Sequence, residues 1–250
     1  MRKEKIIVAL DVETADEAAQ IIENLKGEVG AFKIGLQLFT SAGSQFVREI
    51  VEAGVKVFLD LKFHDIPNTA AKASVEAARL GVWMFNIHAL GGSEMMRRTV
   101  GEVSEACVKE NLKQPKIIGV TVLTSSNEQT LIETGINQDS KRQVLNLAQL
   151  AYESGLDGVV ASPLEVNLIK QNIPKKNFLV VTPGVRPKSM TSDIQDDDQK
   201  RVLSPAEAIS AGADYLVIGR PILKSENPVR AVRGIIADME KSDGNRSDIS

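Results

Sequence analysis

Short apolar, β-branched runs recur along the chain, each followed by a longer stretch in which apolar residues return every three or four positions. The first pattern is that of strands buried on both faces, the second that of helices with one face against a core. The runs predict eight strands, at 6–12, 31–36, 55–63, 83–89, 116–123, 158–161, 178–183 and 215–219. Between and after them the spacing predicts helices at 15–25, 41–52, 69–80, 93–111, 140–153, 164–170, 205–211 and 228–240, several opening on Ser, Thr or Pro. Strict alternation favours a parallel sheet with crossover helices, and eight units in 250 residues fit an α/β fold, a single-domain (β/α)8 TIM barrel over 1–240. A doubly wound sheet is the alternative. It is disfavoured because Asp11-Val12-Glu13-Thr14 follows the first strand, where a dinucleotide fold would carry a glycine-rich turn. Residues 241–250 are polar and predicted to be a disordered tail, so the Asn245-Arg246-Ser247 sequon there is read as chance.

Composition narrows the function classes. The 30 Lys+Arg against 33 Asp+Glu leave a net charge of −3, too little field to hold nucleic acid or a membrane surface. Any phosphate must therefore be gripped locally. The apolar run 6–10 near the amino terminus is too short for a signal peptide or a membrane span, which points to a cytoplasmic protein. The lone cysteine, Cys107, lies in a helical context and reads as a packed, inert thiol.

Candidate chemistry concentrates in Asp60-Leu61-Lys62-Phe63-His64-Asp65. Side chains alternate in a strand, so Asp60 and Lys62 share one face and Leu59, Leu61 and Phe63 the other. With the apolar face against helices, the two charges point into the barrel mouth at the carboxyl end of the third strand, where barrel enzymes keep catalytic groups. Asp65 falls in the loop beyond. A structural ion pair is the bland reading, but Asp11 ends the first strand and Lys33 interrupts the second, so charges from three consecutive strands favour a site. After the seventh and eighth strands come Gly184-Val185-Arg186 and Gly219-Arg220, arginines beside glycines where barrels often bind phosphate.

The run DLKFHDIPNT over 60–69 resembles the signature of the orotidine 5′-phosphate decarboxylase family. Further similar segments are ALD at 9–11, FKIG at 32–35, TVLTS at 121–125, TPGVRP at 182–187, DQKR at 198–201 and IGRP at 218–221. The resemblance implies a cofactor-free barrel lyase that converts orotidine 5′-phosphate to UMP and carbon dioxide, the last step of de novo pyrimidine biosynthesis. It implies Lys62 as proton donor to carbon 6 and Asp60 beside the departing carboxylate, with Lys33 and Asp65 completing an alternating charge set. Arg186, Gln199, Gly219 and Arg220 would hold the 5′-phosphate, Asp11 and Lys33 the ribose, and Thr124 the pyrimidine edge. A homodimer is also implied, with Asp65 and Thr69 reaching the neighbour's site. The acidic loop 187–198 departs from the family pattern and makes Gln195 a rival to Gln199.

Two alternatives remain. Keto-sugar-phosphate decarboxylases and hexulose-phosphate synthases share Asp-x-Lys-x-x-Asp but use Mg²⁺, which needs oxygen ligands; a charged lysine at position 33 cannot supply one. A non-catalytic nucleotide-binding barrel is the other, and it has no use for a buried proton donor. The two histidines, His64 and His88, are too few for a histidine-rich metal site; His88 reads as a hydrogen-bonded core or rim residue and His64 as a brace for the Asp65 loop.

Overall fold

The computed structural model describes residues 2–173, 177–187 and 203–244, with side chains to Glu240. In chain order the elements are β1 (Ile6–Ala9), α1 (Ala15–Leu25), β2 (Ala31–Gly35), α2 (Leu36–Glu52), β3 (Val57–Phe63), α3 (Pro67–Arg79), β4 (Met84–His88), α4 (Gly92–Glu110) and β5 (Lys116–Val120). They continue with α5 (Glu128–Glu133), α6 (Ser140–Glu153), β6 (Gly158–Val160), α7 (Val166–Asn172), β7 (Leu179–Pro183), α8 (Pro205–Ser210), β8 (Tyr215–Ile218), α9 (Arg220–Leu223) and α10 (Pro228–Gly244). All eight strands run parallel in sequence order, and β8 pairs with β1 to close the barrel. Helix starts follow local chemistry: Thr14, Asn127 and Asp139 each accept a backbone N–H as N-caps, and Ser162 and Ser204 form capping boxes.

Two apolar layers follow from the two faces of each strand. The outer one, between strands and helices, contains Ile34, Leu59, Phe85, Val180 and Ile218 packed against helix residues such as Val47, Val144 and Val232. The inner one fills the barrel with Ile7, Ala9, Ala31, Phe58, Met84, Ile118, Val181 and Val217. One inward step further along their strands come Asp11, Lys33, Asp60, Asn86 and Gly219, so the plug of apolar side chains becomes the floor of a polar mouth.

Several ladders end earlier than the apolar runs suggest. β1 stops at Ala9, although the Leu10 N–H still donates to Lys33 O (3.0 Å); β5 stops at Val120. Of the remaining residues of those runs, Asp11, Val122 and Leu123 line the mouth. Helix α2 begins at Leu36 rather than 41, with a break at Gly43, whose φ of 75° is the left-handed region glycine enters without a Cβ clash. The short α5 and α9 are additions to the expected set. α10 continues past Glu240 to Gly244, into the stretch expected to be tail, while 245–250 and its sequon lie outside the described residues. Cys107 is buried on α4, and burial together with the Glu110 charge pushes its thiol up.

Candidate active site

Asp60, on β3, is the hub of the mouth. Its Oδ1 accepts from Lys62 Nζ (2.8 Å) and from Asn86 Nδ2 (2.7 Å), and its Oδ2 lies 3.3 Å from Lys33 Nζ. Lys33, on β2, also donates to Asp11 Oδ1 (3.3 Å), just beyond β1. The Lys33 and Asp60 side chains are only 12% and 13% exposed, whereas Asp11 is 59% exposed. Desolvation of that degree is tolerable because the charges alternate. Burial pushes Asp60 up, but the Lys33 and Lys62 charges and the two hydrogen bonds outweigh it and hold the carboxyl below its ordinary value. Burial likewise pushes Lys33 down, and the Asp60 and Asp11 carboxylates overcome it, leaving the ammonium above its ordinary value. The result is a fixed pattern of full charges.

Lys62 reaches Asp60 through an unusual backbone. Its φ is 52°, a left-handed conformation inside a strand, which costs on the order of 1–3 kcal/mol for a residue with a Cβ. The β3–β4 register shifts there: Leu59 is opposite Phe85 and Phe63 opposite Ile87, leaving three residues of β3 across from one of β4. The Lys62 N–H, turned out of the ladder, donates to Asn86 Oδ1 (2.8 Å).

Above this floor lies a cavity of about 290 Å³ whose charged lining is Asp11, Lys33, Asp60, Lys62, Arg186 and Arg220. Four cations against two carboxylates leave the cavity with a surplus of two positive charges. Arg186 follows β7 and is anchored where its N–H donates to Leu203 O (3.0 Å) and Val185 bridges Leu203. Arg220 opens α9 directly after β8. Gly219, between β8 and Arg220, sits close to the mouth: a Cβ there would stand 3.1 Å from Asp11 Oδ2, a tight contact that the Asp11 side chain would have to shift to relieve. Thr124 and Ser125 line the β5 side, and Val122, Phe58, Val160 and Val217 make the apolar wall.

The model of the orotidine 5′-phosphate decarboxylase / HUMPS family matches residues 4–235. The chain belongs to this family. A protein from Syntrophotalea carbinolica named orotidine 5′-phosphate decarboxylase is 51% identical over 237 residues, 95% of each chain. One of the same name from Geobacter sulfurreducens is 51% identical over 239 residues, 95% of this chain and 96% of its own. The crystal structure of orotidine 5′-phosphate decarboxylase from Lactobacillus acidophilus superposes with a TM-score of 0.79 at 34% identity, covering 94% of this chain and 98% of that one.

Of the family residues expected from the sequence, the cavity gathers Asp11, Lys33, Asp60, Lys62, Thr124, Arg186, Gly219 and Arg220. It does not gather Asp65 and Thr69. Asp65 is exposed in the loop after β3, where it accepts from the Ile66 N–H (2.7 Å) and forms no ion pair with a described residue; Thr69 is exposed on the first turn of α3. Within this chain the alternating set is thus Asp11, Lys33, Asp60 and Lys62, without Asp65. Gln195 and Gln199 lie outside the described residues. Among the described residues no group of three His, Cys, Asp or Glu comes together as a metal site, and no helix is long and apolar enough to cross a membrane.

The histidines occupy the rim side by side, their rings 5.2 Å apart. Burial, then the neighbouring His64 and Lys62 charges, lower His88 to about 4. Contrary to the expectation of a hydrogen-bonded residue, His88 Nδ1 is buried without a partner among the described residues. Asn86 is the residue that the sequence reading passed over. Its signal was a side-chain amide at an inward position of an otherwise apolar strand, 1% exposed once folded.

Proposed function

We propose that this protein decarboxylates orotidine 5′-phosphate to UMP and carbon dioxide, the last step of de novo UMP synthesis, without metal or organic cofactor. The observation that carries the reading is the Asp60 carboxylate held between Lys33 and Lys62 on the floor of a cavity with Arg186 and Arg220 at its rim. Family membership and relatives at about 50% identity that bear the enzyme's name support the same substrate.

The cavity's surplus of two positive charges matches a phosphate dianion, and the arginines offer charge-assisted hydrogen bonds to it. Asp11 and Lys33 face the ribose, Thr124 the pyrimidine edge, and the apolar wall excludes water from the ring. Gln199, from the segment outside the described residues, joins the phosphate grip, as does the backbone at Gly219. In the reaction the bond from carbon 6 to the carboxylate breaks and its electron pair remains on carbon 6. That carbanion has no adjacent group to delocalise it. The Lys62 ammonium stabilises the developing charge and transfers its proton to carbon 6; the amine is reprotonated from solvent. Asp60 fixes the ammonium and disfavours a carboxylate left beside it. Binding energy from the remote phosphate is used at the reacting end.

The working unit is a homodimer in which Asp65 and Thr69 complete the neighbour's site. In its support, exposed apolar residues follow the carboxyl ends of four consecutive strands: Leu36 after β2, Ile66 after β3, Leu90 after β4 and Leu123 after β5. Mixing Lys62→Ala with Asp65→Ala protein under subunit exchange restores about a quarter of wild-type activity, because each hybrid dimer has one intact site. No recovery refutes the shared site. The protein acts in the cytoplasm on a free nucleotide. The Mg²⁺-dependent keto-sugar-phosphate chemistry of the wider family requires a carboxylate ligand where β2 presents Lys33. Offering the protein both orotidine 5′-phosphate and a phosphorylated keto-sugar acid with Mg²⁺ separates the readings. Turnover of the first alone is expected; turnover of the second alone overturns the proposal.

A further inference from the structure

Asn86 is held in a place that neither the phosphate grip nor the proton donor explains. It lies at the centre of β4, fully buried, and its amide makes two bonds with opposite polarity. Oδ1 accepts the Lys62 backbone N–H (2.8 Å), and Nδ2 donates to Asp60 Oδ1 (2.7 Å), the same oxygen that Lys62 Nζ reaches (2.8 Å). The amide therefore closes a ring through the Lys62 backbone, the Lys62 ammonium and the Asp60 carboxylate. It also stands in for the ladder, because the register shift between Leu59 and Phe63 leaves the Lys62 N–H without a strand carbonyl.

We propose that Asn86 is a positioning residue for the decarboxylation, aiming the Lys62 ammonium by fixing both the left-handed Lys62 backbone and the Asp60 carboxylate. This rests on the reading of the function given above. A neutral amide suits the task because it donates to a carboxylate and accepts from an N–H at once. A leucine of similar volume can do neither. An aspartic acid does both only while protonated: its O–H then donates to Asp60 and its carbonyl accepts from Lys62. Once ionised, it sets a second negative charge against Asp60. The charged and titratable groups around that position are Asp60 and Lys62 on β3, Lys33 on β2 with Asp11 behind it, and His88 two residues along β4. The interior of β5 offers Ile118 and Val120, which do not titrate.

The test compares wild type, Asn86→Leu and Asn86→Asp for kcat, KM and UMP affinity across the pH range in which wild type is folded. A misaimed donor lowers kcat of Asn86→Leu between about tenfold and 10²-fold while UMP affinity stays within about threefold. The kcat of Asn86→Asp, which differs from wild type by little more than one atom, is highest at low pH and falls as the new carboxyl ionises, a limb that wild type lacks. If Asn86→Leu does not fold, the Asn86→Asp profile decides alone. An Asn86→Asp profile parallel to that of wild type, or losses lying wholly in KM and UMP affinity, would overturn the inference. Absence of turnover in the wild type instead overturns the functional reading on which it rests.

Discussion

The barrel carries a lysine–carboxylate pair at each end, and the two are built differently. Where the chain enters β7 and β8, Lys170 of α7 lies 2.7 Å from Asp214 Oδ2 and donates to Phe178 O (2.8 Å), while the same Asp214 oxygen accepts the Val180 N–H (2.8 Å). That pair is tied into backbone and joins a helix to two strands. At the opposite end, Lys62, Asp60 and Lys33 form a chain of charges whose open side is the cavity. The contrast separates a strut from a site. A structural ion pair has its hydrogen-bonding capacity absorbed by the fold, whereas a functional one turns some of it toward the space a ligand fills.

The comparison can be broken most severely at Lys62. Lys62→Ala should lower decarboxylation by about 10³-fold or more in a steady-state assay. Its thermal midpoint should stay close to that of wild type, since Asp60 keeps Lys33 and Asn86. Next, Arg220→Ala removes a charged hydrogen-bond donor from the rim and should raise KM for orotidine 5′-phosphate by roughly 10- to 10²-fold. Because phosphate binding energy is used at the reacting end, kcat falls with it, and an unchanged kcat/KM would take Arg220 out of the phosphate grip. The converse experiment is Asp214→Ala, which leaves Lys170 without its carboxylate and the Val180 N–H without its acceptor. It should destabilise the fold by about 1–3 kcal/mol, or several degrees of midpoint in calorimetry, with kcat within about twofold.

The smallest effect belongs to His88, on the rim of the open end. Its folded value of about 4 lies below the ordinary 6.5, so between these limits the folded state binds fewer protons than the unfolded one. The stability that this contributes is complete above about 6.5 and is lost as pH falls toward 4. His88→Asn should therefore flatten the acid side of the stability profile by no more than one proton, read from denaturant midpoints at pH 7 and 5. An unchanged slope would show that His88 is not the group responsible.

The barrel was legible because each strand is a mostly apolar run and each long helix repeats its apolar face. Charges inside such runs, Asp60, Lys62 and Lys33, were legible for the same reason: nothing in a packed barrel interior calls for them. What was hidden depends on register. Simple alternation along β3 puts Asp60 and Lys62 on one face, but does not reveal that Lys62 arrives there through a left-handed residue and a bulge, or that Asn86 across the gap holds both. Helices α5 and α9, at six and four residues, are too short for periodicity to register. The start of α2 was obscured because Leu36, its first residue, continues the apolar run of β2. Thr69, and the reach of Asp65 into a neighbour's site, were picked out by family likeness alone, and one chain leaves both residues exposed.

The measurement that bears most directly on the account follows orotate absorbance after wild-type and Lys62→Ala proteins, each in excess chelator, are mixed with orotidine 5′-phosphate. Rapid loss of absorbance with stoichiometric UMP for the wild type, and almost none for Lys62→Ala, is the predicted result. An unchanged spectrum with the wild type, or equal loss with both proteins, would contradict it.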